Sequence, residues 1–229
     1  MIPHNVLPVK KGNGPGWKTI SSFILGILLI RIIFIWVMGL MPQDAYYDFY
    51  AQHPALSYYD HPPLIAYLLR LFTSIFGKKV FALKLADSIA TWGTVLAFYH
   101  LAKKFLSPHK LWYGILILLS TFMITILSLV STPDVPLMLC WTISLIFLYK
   151  AVFQERKTYW IWSGIMTGLT FDSKYTAVFL LIGITGFLLI SKQYRKNLFS
   201  RWFLLYLICI GIVILPLVIW NINNGFASF

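Results

Sequence analysis

Two uninterrupted apolar runs constrain the fold of this chain more than any other feature. Leu111 to Val130 comprises 20 residues without a charge, and Trp202 to Trp220 comprises another 19. A helix of about 20 apolar residues crosses the ~30 Å hydrocarbon core of a bilayer. Only 11% of the residues are charged, against about 25% in soluble domains. The chain is therefore predicted to be an integral membrane protein, and we attribute its net charge of +12 to cytoplasmic loops rather than to nucleic-acid binding.

Seven apolar segments predict an all-α bundle that crosses the membrane several times. The first is too long for the apolar part of a cleavable signal peptide, so we expect it to remain as a span. The fourth to sixth are short for complete spans, so they are either tilted helices or, for two of them, half-helices that meet near Asp172. Cys140 and Cys209 fall inside apolar runs, and their spacing indicates neither a disulfide framework nor a metal site. The segments are 20–41, 80–102, 111–130, 135–149, 159–171, 175–190 and 202–220.

The distribution of charge predicts the orientation. With the N-terminus in the cytoplasm, four inner segments hold 13 of the 19 Lys and Arg residues, as the positive-inside rule requires. Among the acidic residues only Glu155 lies inside, while Asp87 lies near the outer end of the second span. Acidic residues contribute little to orientation, so their clustering outside indicates a site on the extracytoplasmic face. The inner segments are 1–19, 103–110, 150–158 and 191–201.

The first outer segment, residues 42–79, is predicted to form two amphipathic helices in the plane of the membrane interface. Asp44 to Gln52 carries four aromatic side chains and suits the first helix. Pro62 and Pro63 suit the start of the second, where a missing N–H costs little. Tyr59, between the two helices, suits the lipid headgroup level.

Short polar motifs in these outer segments resemble those of a known family, the bacterial membrane glycosyltransferases with the GT-C fold. This family includes protein O-mannosyltransferases, aminoarabinose transferases and the galacturonosyltransferases of lipopolysaccharide assembly. The resemblance implies a single membrane-embedded domain over 1–229 that is the N-terminal half of a longer protein in a bacterial or archaeal cell membrane. It also implies a polyprenyl-phosphate-linked sugar as donor. The motifs are Gln43-Asp-Ala-Tyr-Tyr47, Ser57 to Leu64, Ser131-Thr-Pro-Asp134, Ser173-Lys-Tyr-Thr176, and Trp220-Asn221 with Gly225-Phe-Ala-Ser228.

The resemblance implies that the catalytic carboxylate is in the first of these motifs. The family usually has two successive acids there, and the first is implicated in catalysis; this chain has Gln43 followed by Asp44. Because glutamine does not accept a proton as a carboxylate does, we expect Asp44 to be the general base. Asp48, one helical turn later on the same face, is the second candidate. The alternative for Asp44 is a first-turn acid that stabilises the helix terminus.

Cations in the outer segments are candidates for binding the donor phosphate. Lys174, His61 and Arg70 supply positive or proton-donating groups there, and Tyr59 is expected to contact the lipid. Lys174 has an alternative role as the ion-pair partner of Asp172 or as a snorkelling side chain. Asp60 and Asp134 are supporting residues, with a helix cap and a turn as their respective alternatives.

Together these features predict transfer of a sugar from a polyprenyl-phosphate donor to a lipid, glycan or protein acceptor on the extracytoplasmic face. The expected partners are the donor and membrane lipids. No cofactor is required, although a divalent metal held by the outer carboxylates is compatible with the pattern. Two alternatives stay open: a lipid transporter or flippase, since Arg31 lies within the first span, and a non-catalytic lipid-binding subunit, since Gln43 replaces the usual acid.

Overall fold

A computed structural model describes residues 17–228, and every regular element within that part of the chain is a helix. Ten α-helices follow one another, with single turns of 3₁₀-helix at Tyr175–Ala177 and Arg195–Phe199. The α-helices are α1 Trp17–Val37, α2 Pro42–Gln52, α3 Leu64–Phe76, α4 Val80–Ala102, α5 Pro108–Ser120, α6 Phe122–Leu127, α7 Asp134–Val152, α8 Tyr159–Phe171, α9 Val178–Ile190 and α10 Arg201–Asn223.

The helical class predicted from the sequence is confirmed, but about seven spans are not. In the described part of the chain, three helices are long and apolar enough to cross a membrane: α4, α7 and α10. The last 13 residues of α1 would form a fourth span together with α2, but the two are bent by 76° at a short break. Helices α8 and α9 have 13 residues each, so each is only about 20 Å long.

The predicted segment 111–130 is divided into α5 and α6. Thr121 between them has an extended backbone, with φ −67° and ψ 135°. Its hydroxyl donates to the carbonyl of Leu118, and the hydroxyl of Ser120 donates to the carbonyl of Ile117. Such local bonds let a side chain compete with the helical backbone for its acceptors, and they accompany a break that the apolar run does not reveal.

Helices α7, α8 and α10 form the most closely packed part of the bundle. Small residues make this possible: a Cβ added to Gly164 would lie 2.5 Å from the carbonyl oxygen of Tyr206, and one added to Gly168 would lie 2.6 Å from Val213. Small residues four apart allow this approach between membrane helices. The Ser173 hydroxyl donates to the Pro133 carbonyl, so the turn before Asp134 and the turn after Phe171 lie at the same end of the bundle.

Helices α2 and α3 form as the sequence predicts and pack against the start of α4. Their shared core contains Tyr47, Ile65, Leu69 and Leu83. Helix α3 begins immediately after Pro63. Together they cover the end of the bundle where the turns before α7 and after α8 lie, which we call the site end.

Arg31 on α1 has its partner on α4. Its guanidinium carbon lies 5.5 Å from the centre of the Trp92 ring, and the residue is 5% exposed. This is a cation–π contact, and the positive charge of Arg31 thus lies inside the protein.

Candidate functional site

Hydrogen bonds between distant segments assemble the site end. The Ser131 N–H donates to Asp44 Oδ1 at 2.9 Å, which connects the turn before α7 to α2. The Ser173 hydroxyl donates to the Pro133 carbonyl at 2.6 Å, and the Leu64 N–H donates to the Asp172 carbonyl at 2.9 Å. Motifs that are far apart in the sequence therefore meet on one surface.

The last motif returns to the same surface. The Ser228 hydroxyl donates to the Tyr58 carbonyl at 2.8 Å, and its N–H donates to Asn221 Oδ1 at 3.2 Å. Asn221 is fully buried, and the chain turns at Gly225, whose φ of +63° favours glycine. The Trp-Asn and Gly-Phe-Ala-Ser residues thus connect the end of α10 to the segment between α2 and α3.

Asp44 lies at the centre of the site end and is completely buried. Its Oδ2 accepts from the Met41 N–H at 2.8 Å and from the Lys84 ammonium, while Oδ1 accepts the Ser131 bond. The sequence left open the alternative that Asp44 only stabilises the start of its own helix. The bond from the Met41 N–H is the contact that this alternative predicts. Because Asp44 has no exposed surface, a substrate does not reach its carboxylate in this arrangement.

Lys84 is the residue that sequence reasoning missed. It is fully buried in α4 and binds both Asp44 and the Leu129 carbonyl. Asp87, three residues later on the same helix, accepts from the Ser131 hydroxyl at 2.6 Å. A cation and an acid three residues apart inside an apolar helix share one face, and this spacing was the available signal.

Lys174 and Asp134 form a second ion pair, and this one is open to solvent. Lys174 Nζ lies 3.0 Å and 3.1 Å from the two Asp134 oxygens, and the side chains are 34% and 25% exposed. The expected ion pair of Lys174 with Asp172 is wrong, because the structure pairs Lys174 with Asp134 instead. The Lys174 ammonium is a compact point charge that is partly open to solvent.

His61 lies next to this pair. Its ring is 6.0 Å from that of Tyr47, and partial burial lowers the pKa of the imidazole; the charges of Asp60 and Asp134 act to raise it and that of Lys174 to lower it. A lowered pKa leaves the ring mainly neutral at pH 7.

Asp172 is a half-buried acid at the site end that the sequence did not assign to the site. Burial raises the pKa of its carboxyl to about 7, and Oδ1 has no hydrogen-bond partner among residues 17–228. The pKa of the Tyr67 hydroxyl is raised mainly by burial and, to a smaller extent, by the negative charge of Asp172.

The remaining predicted acids are Asp48, on α2, and Asp60, in the segment between α2 and α3. Asp48 is half-buried and accepts from the Gln52 amide at 2.7 Å. Asp60 is exposed and accepts from the Tyr46 hydroxyl, whereas the sequence allowed it to cap α3. Tyr59 is 69% exposed, as a residue that contacts lipid would be.

Arg70 lies away from the Lys174–Asp134 pair. Its Nη1 donates to the Ala51 carbonyl at 3.1 Å, and it lines a shallow cavity with Gln52 and Lys78 at the carboxyl end of α2. A cation there stabilises the end of the helix, so its direct contacts are structural.

Two carboxylates of the site end are each neutralised by a lysine. Asp44 pairs with Lys84 and Asp134 pairs with Lys174. Within residues 17–228, no three His, Cys, Asp or Glu side chains are grouped in a way that would hold a metal ion. A divalent metal would therefore need ligands from the substrate or from elsewhere.

Comparison with known proteins identifies the family. The dolichyl-phosphate-mannose-protein mannosyltransferase family matches residues 60–220, more than half of the chain. The chain is also 24% identical over 209 residues to the lipid A galacturonosyltransferase RgtD of Rhizobium johnstonii, in an alignment that covers 88% of this chain and 43% of the relative. It thus spans less than half the length of that relative, and no solved structure matches it. The resemblance inferred from the motifs is confirmed: the chain belongs to the dolichyl-phosphate-mannose-protein mannosyltransferase family.

Proposed function

We propose that this protein is a membrane glycosyltransferase that moves a sugar from a polyprenyl-phosphate donor to an acceptor on the extracytoplasmic face. Its N-terminus would then lie in the cytoplasm. The observation that carries the proposal is the half-exposed Lys174–Asp134 pair beside His61, at the end of the bundle where the family motifs meet. The galacturonosyltransferase relative supports the reaction class.

The donor is a membrane lipid, so its phosphate must be bound at the membrane interface. Lys174 is a partly exposed cation of the site end, and its ammonium supplies a point charge for phosphate. When the phosphate takes the place of Asp134, the ammonium keeps a counter-charge and stabilises the phosphate that leaves during transfer. His61 donates a hydrogen bond to the same group, and the phosphate charge raises the pKa of the imidazole.

The same exchange frees a base. The acceptor oxygen attacks the anomeric carbon, the bond from that carbon to the phosphate oxygen breaks, and the phosphate leaves with the electron pair. The acceptor proton passes to a carboxylate, and a single in-line displacement inverts the anomeric centre. We propose that Asp134, released from Lys174, takes this proton, with Asp48 as the second candidate.

Asp44 has a different part in this proposal. Before it could accept a proton, it would have to separate from Lys84 and from the Met41 and Ser131 N–H groups. Each separation leaves a buried polar group without a partner. We therefore propose that Asp44 holds α2 against the turn before α7 and so positions Asp134, a change from the general base that the sequence favoured.

Turnover and donor affinity of the full-length protein with a polyprenyl-phosphate sugar test these assignments. Asp134→Asn should lower turnover about 10²- to 10⁴-fold, the usual effect of losing a general base. Its donor affinity should hold or increase, because the uncharged amide no longer competes for Lys174. Lys174→Ala should instead weaken donor binding, and Lys174→Arg should restore part of it.

Three results would change the proposal. Full turnover in Asp134→Asn with a large loss in Asp48→Asn would move the base to Asp48. Donor binding without any transfer to a range of acceptors would favour a lipid-binding subunit, and movement of the intact donor across the bilayer would favour a flippase.

A further inference from the structure

The end of the bundle opposite the site end contains a basic cavity that the transfer reaction does not use. It lies between the loop after α7, the segment before α10 and the first turns of α8 and α10, and it has a volume of about 330 Å³. Helix α7 has 19 residues, so the cavity is about 28 Å from Asp134. Its polar lining includes Lys157, Lys196, Asn197 and Glu155, and its apolar lining includes Trp160 and Trp202.

The cavity continues into an apolar groove. Ser200 lines both the cavity and a second depression of about 450 Å³ along the start of α10. That groove is lined by Phe199, Phe203, Leu204 and Leu207, of which Phe199 is 84% exposed and Leu204 is 58% exposed. A charged cavity thus joins directly to an apolar channel that runs along a membrane-crossing helix.

The charges around the cavity favour an anion. Lys157 and Lys196 contribute two positive charges, and Glu155 opposes them with one negative charge. Arg201 adds a third cation at the junction, because it lines the groove while its guanidinium lies 5.2 Å from the centre of the Trp202 ring in the cavity. Among the described residues, neither lysine forms an ion pair with Glu155.

From this geometry we infer that the cavity and groove bind one molecule of an anionic glycerophospholipid. Its headgroup phosphate occupies the cavity between Lys157 and Lys196, and one acyl chain lies along Leu204 and Leu207. Basic pockets between membrane helices recognise anionic lipid headgroups in this way, and the aromatic rings suit the headgroup level. The site is separate from the donor site, and the inference does not depend on the proposed function.

Soluble short-chain lipids provide the test, with the full-length protein in a neutral detergent. Dioctanoyl phosphatidylglycerol should bind, dioctanoyl phosphatidylcholine should bind much more weakly, and inorganic phosphate should not compete at similar concentrations. A basic residue near an anionic lipid surface is worth about 1 kcal/mol, or about fivefold in affinity. Lys157→Gln and Lys196→Gln should therefore each weaken phosphatidylglycerol binding about fivefold.

Two further variants distinguish binding in this cavity from a general effect of net charge: one removes the negative charge of the cavity, and the other removes a positive charge outside it. Glu155→Gln should strengthen phosphatidylglycerol binding about fivefold, a gain that a misfolded variant would not show. Lys110→Gln, an exposed lysine at the same end but outside the cavity, should bind as the unmodified protein does. Lys174→Ala should also leave this binding intact, because Lys174 lies at the site end.

Several outcomes would overturn the inference. Equal affinity for phosphatidylglycerol and phosphatidylcholine would show that charge is not recognised. Competition by inorganic phosphate as effective as that by the lipid would indicate a free-anion site in which the groove has no part. Unchanged lipid affinity in both lysine variants and in Glu155→Gln would remove the cavity as the binding site.

Discussion

The two lysine–aspartate pairs should differ sharply in what they contribute to stability. Lys84 and Asp44 have no exposed side-chain surface, whereas Lys174 and Asp134 are 34% and 25% exposed. In Lys84→Met, the Asp44 carboxylate keeps the Met41 and Ser131 N–H groups but loses its counter-ion. Removal of one partner of a buried pair typically costs about 3–5 kcal/mol.

The surroundings of Lys84 support a value in that range. The Leu129 carbonyl also loses its ammonium donor, and a buried acceptor without a partner costs about 1–3 kcal/mol. A cost of about 3–5 kcal/mol corresponds to a decrease of about 10²- to 10⁴-fold in the ratio of folded to unfolded protein. Lys174→Met should cost only about 0–1 kcal/mol, because solvent screens an exposed pair.

Reversible unfolding in mixed micelles with an increasing fraction of SDS measures both variants on one scale. The double variant Asp44→Asn with Lys84→Met removes both buried charges, so it should be much less destabilised than the sum of its single variants. If Lys84→Met costs no more than Lys174→Met, the buried pair does not hold α2 to α4, and the positioning role given to Asp44 is wrong.

Three further predictions concern pH, packing and orientation. The pKa of Asp172 is raised to about 7 from an ordinary 3.8. Its contribution to stability is therefore complete below pH 3.8 and is lost as pH rises through 7. The unfolding midpoint should fall over this interval, and it should fall less in Asp172→Asn. Gly164→Ala should destabilise the protein by about 1–3 kcal/mol in the same unfolding assay, because its Cβ would meet the backbone of α10 at 2.5 Å, while Gly183→Ala, with nothing within 4 Å, should not. In a background without the two native cysteines, Tyr59→Cys should react with an impermeant thiol reagent added outside sealed cells and Lys110→Cys should not; the reverse pattern would invert the proposed orientation.

The sequence was sufficient to predict most of the helices. Apolar runs with polar ends predicted 80–102 and 159–171 as helices, and both have those bounds in the structure. Helix α2 was predicted from the aromatic-rich stretch Asp44 to Gln52, and α3 from a pair of prolines and the apolar face that follows. The break at Thr121 was missed, because threonine and serine in an apolar run leave the hydropathy almost unchanged.

The partners of the charged residues were not predictable in the same way. Asp44 and Lys84 are 40 positions apart, as are Asp134 and Lys174, and periodicity within one helix contains no information about such pairs. The residue type of Asp44 suits catalysis, but its burial depends on how α2 packs against α4 and the turn at Ser131. Asp172 shows the same limit, since its raised pKa results from burial by other segments.

Release of polyprenyl phosphate from a polyprenyl-phosphate sugar tests the central claim most directly. The full-length protein in lipid nanodiscs should release one polyprenyl phosphate for each sugar transferred, and Lys174→Ala should require a higher donor concentration for half-saturation of binding. Donor affinity that is the same in Lys174→Ala and in the unmodified protein, or binding with no release of polyprenyl phosphate, would contradict the account.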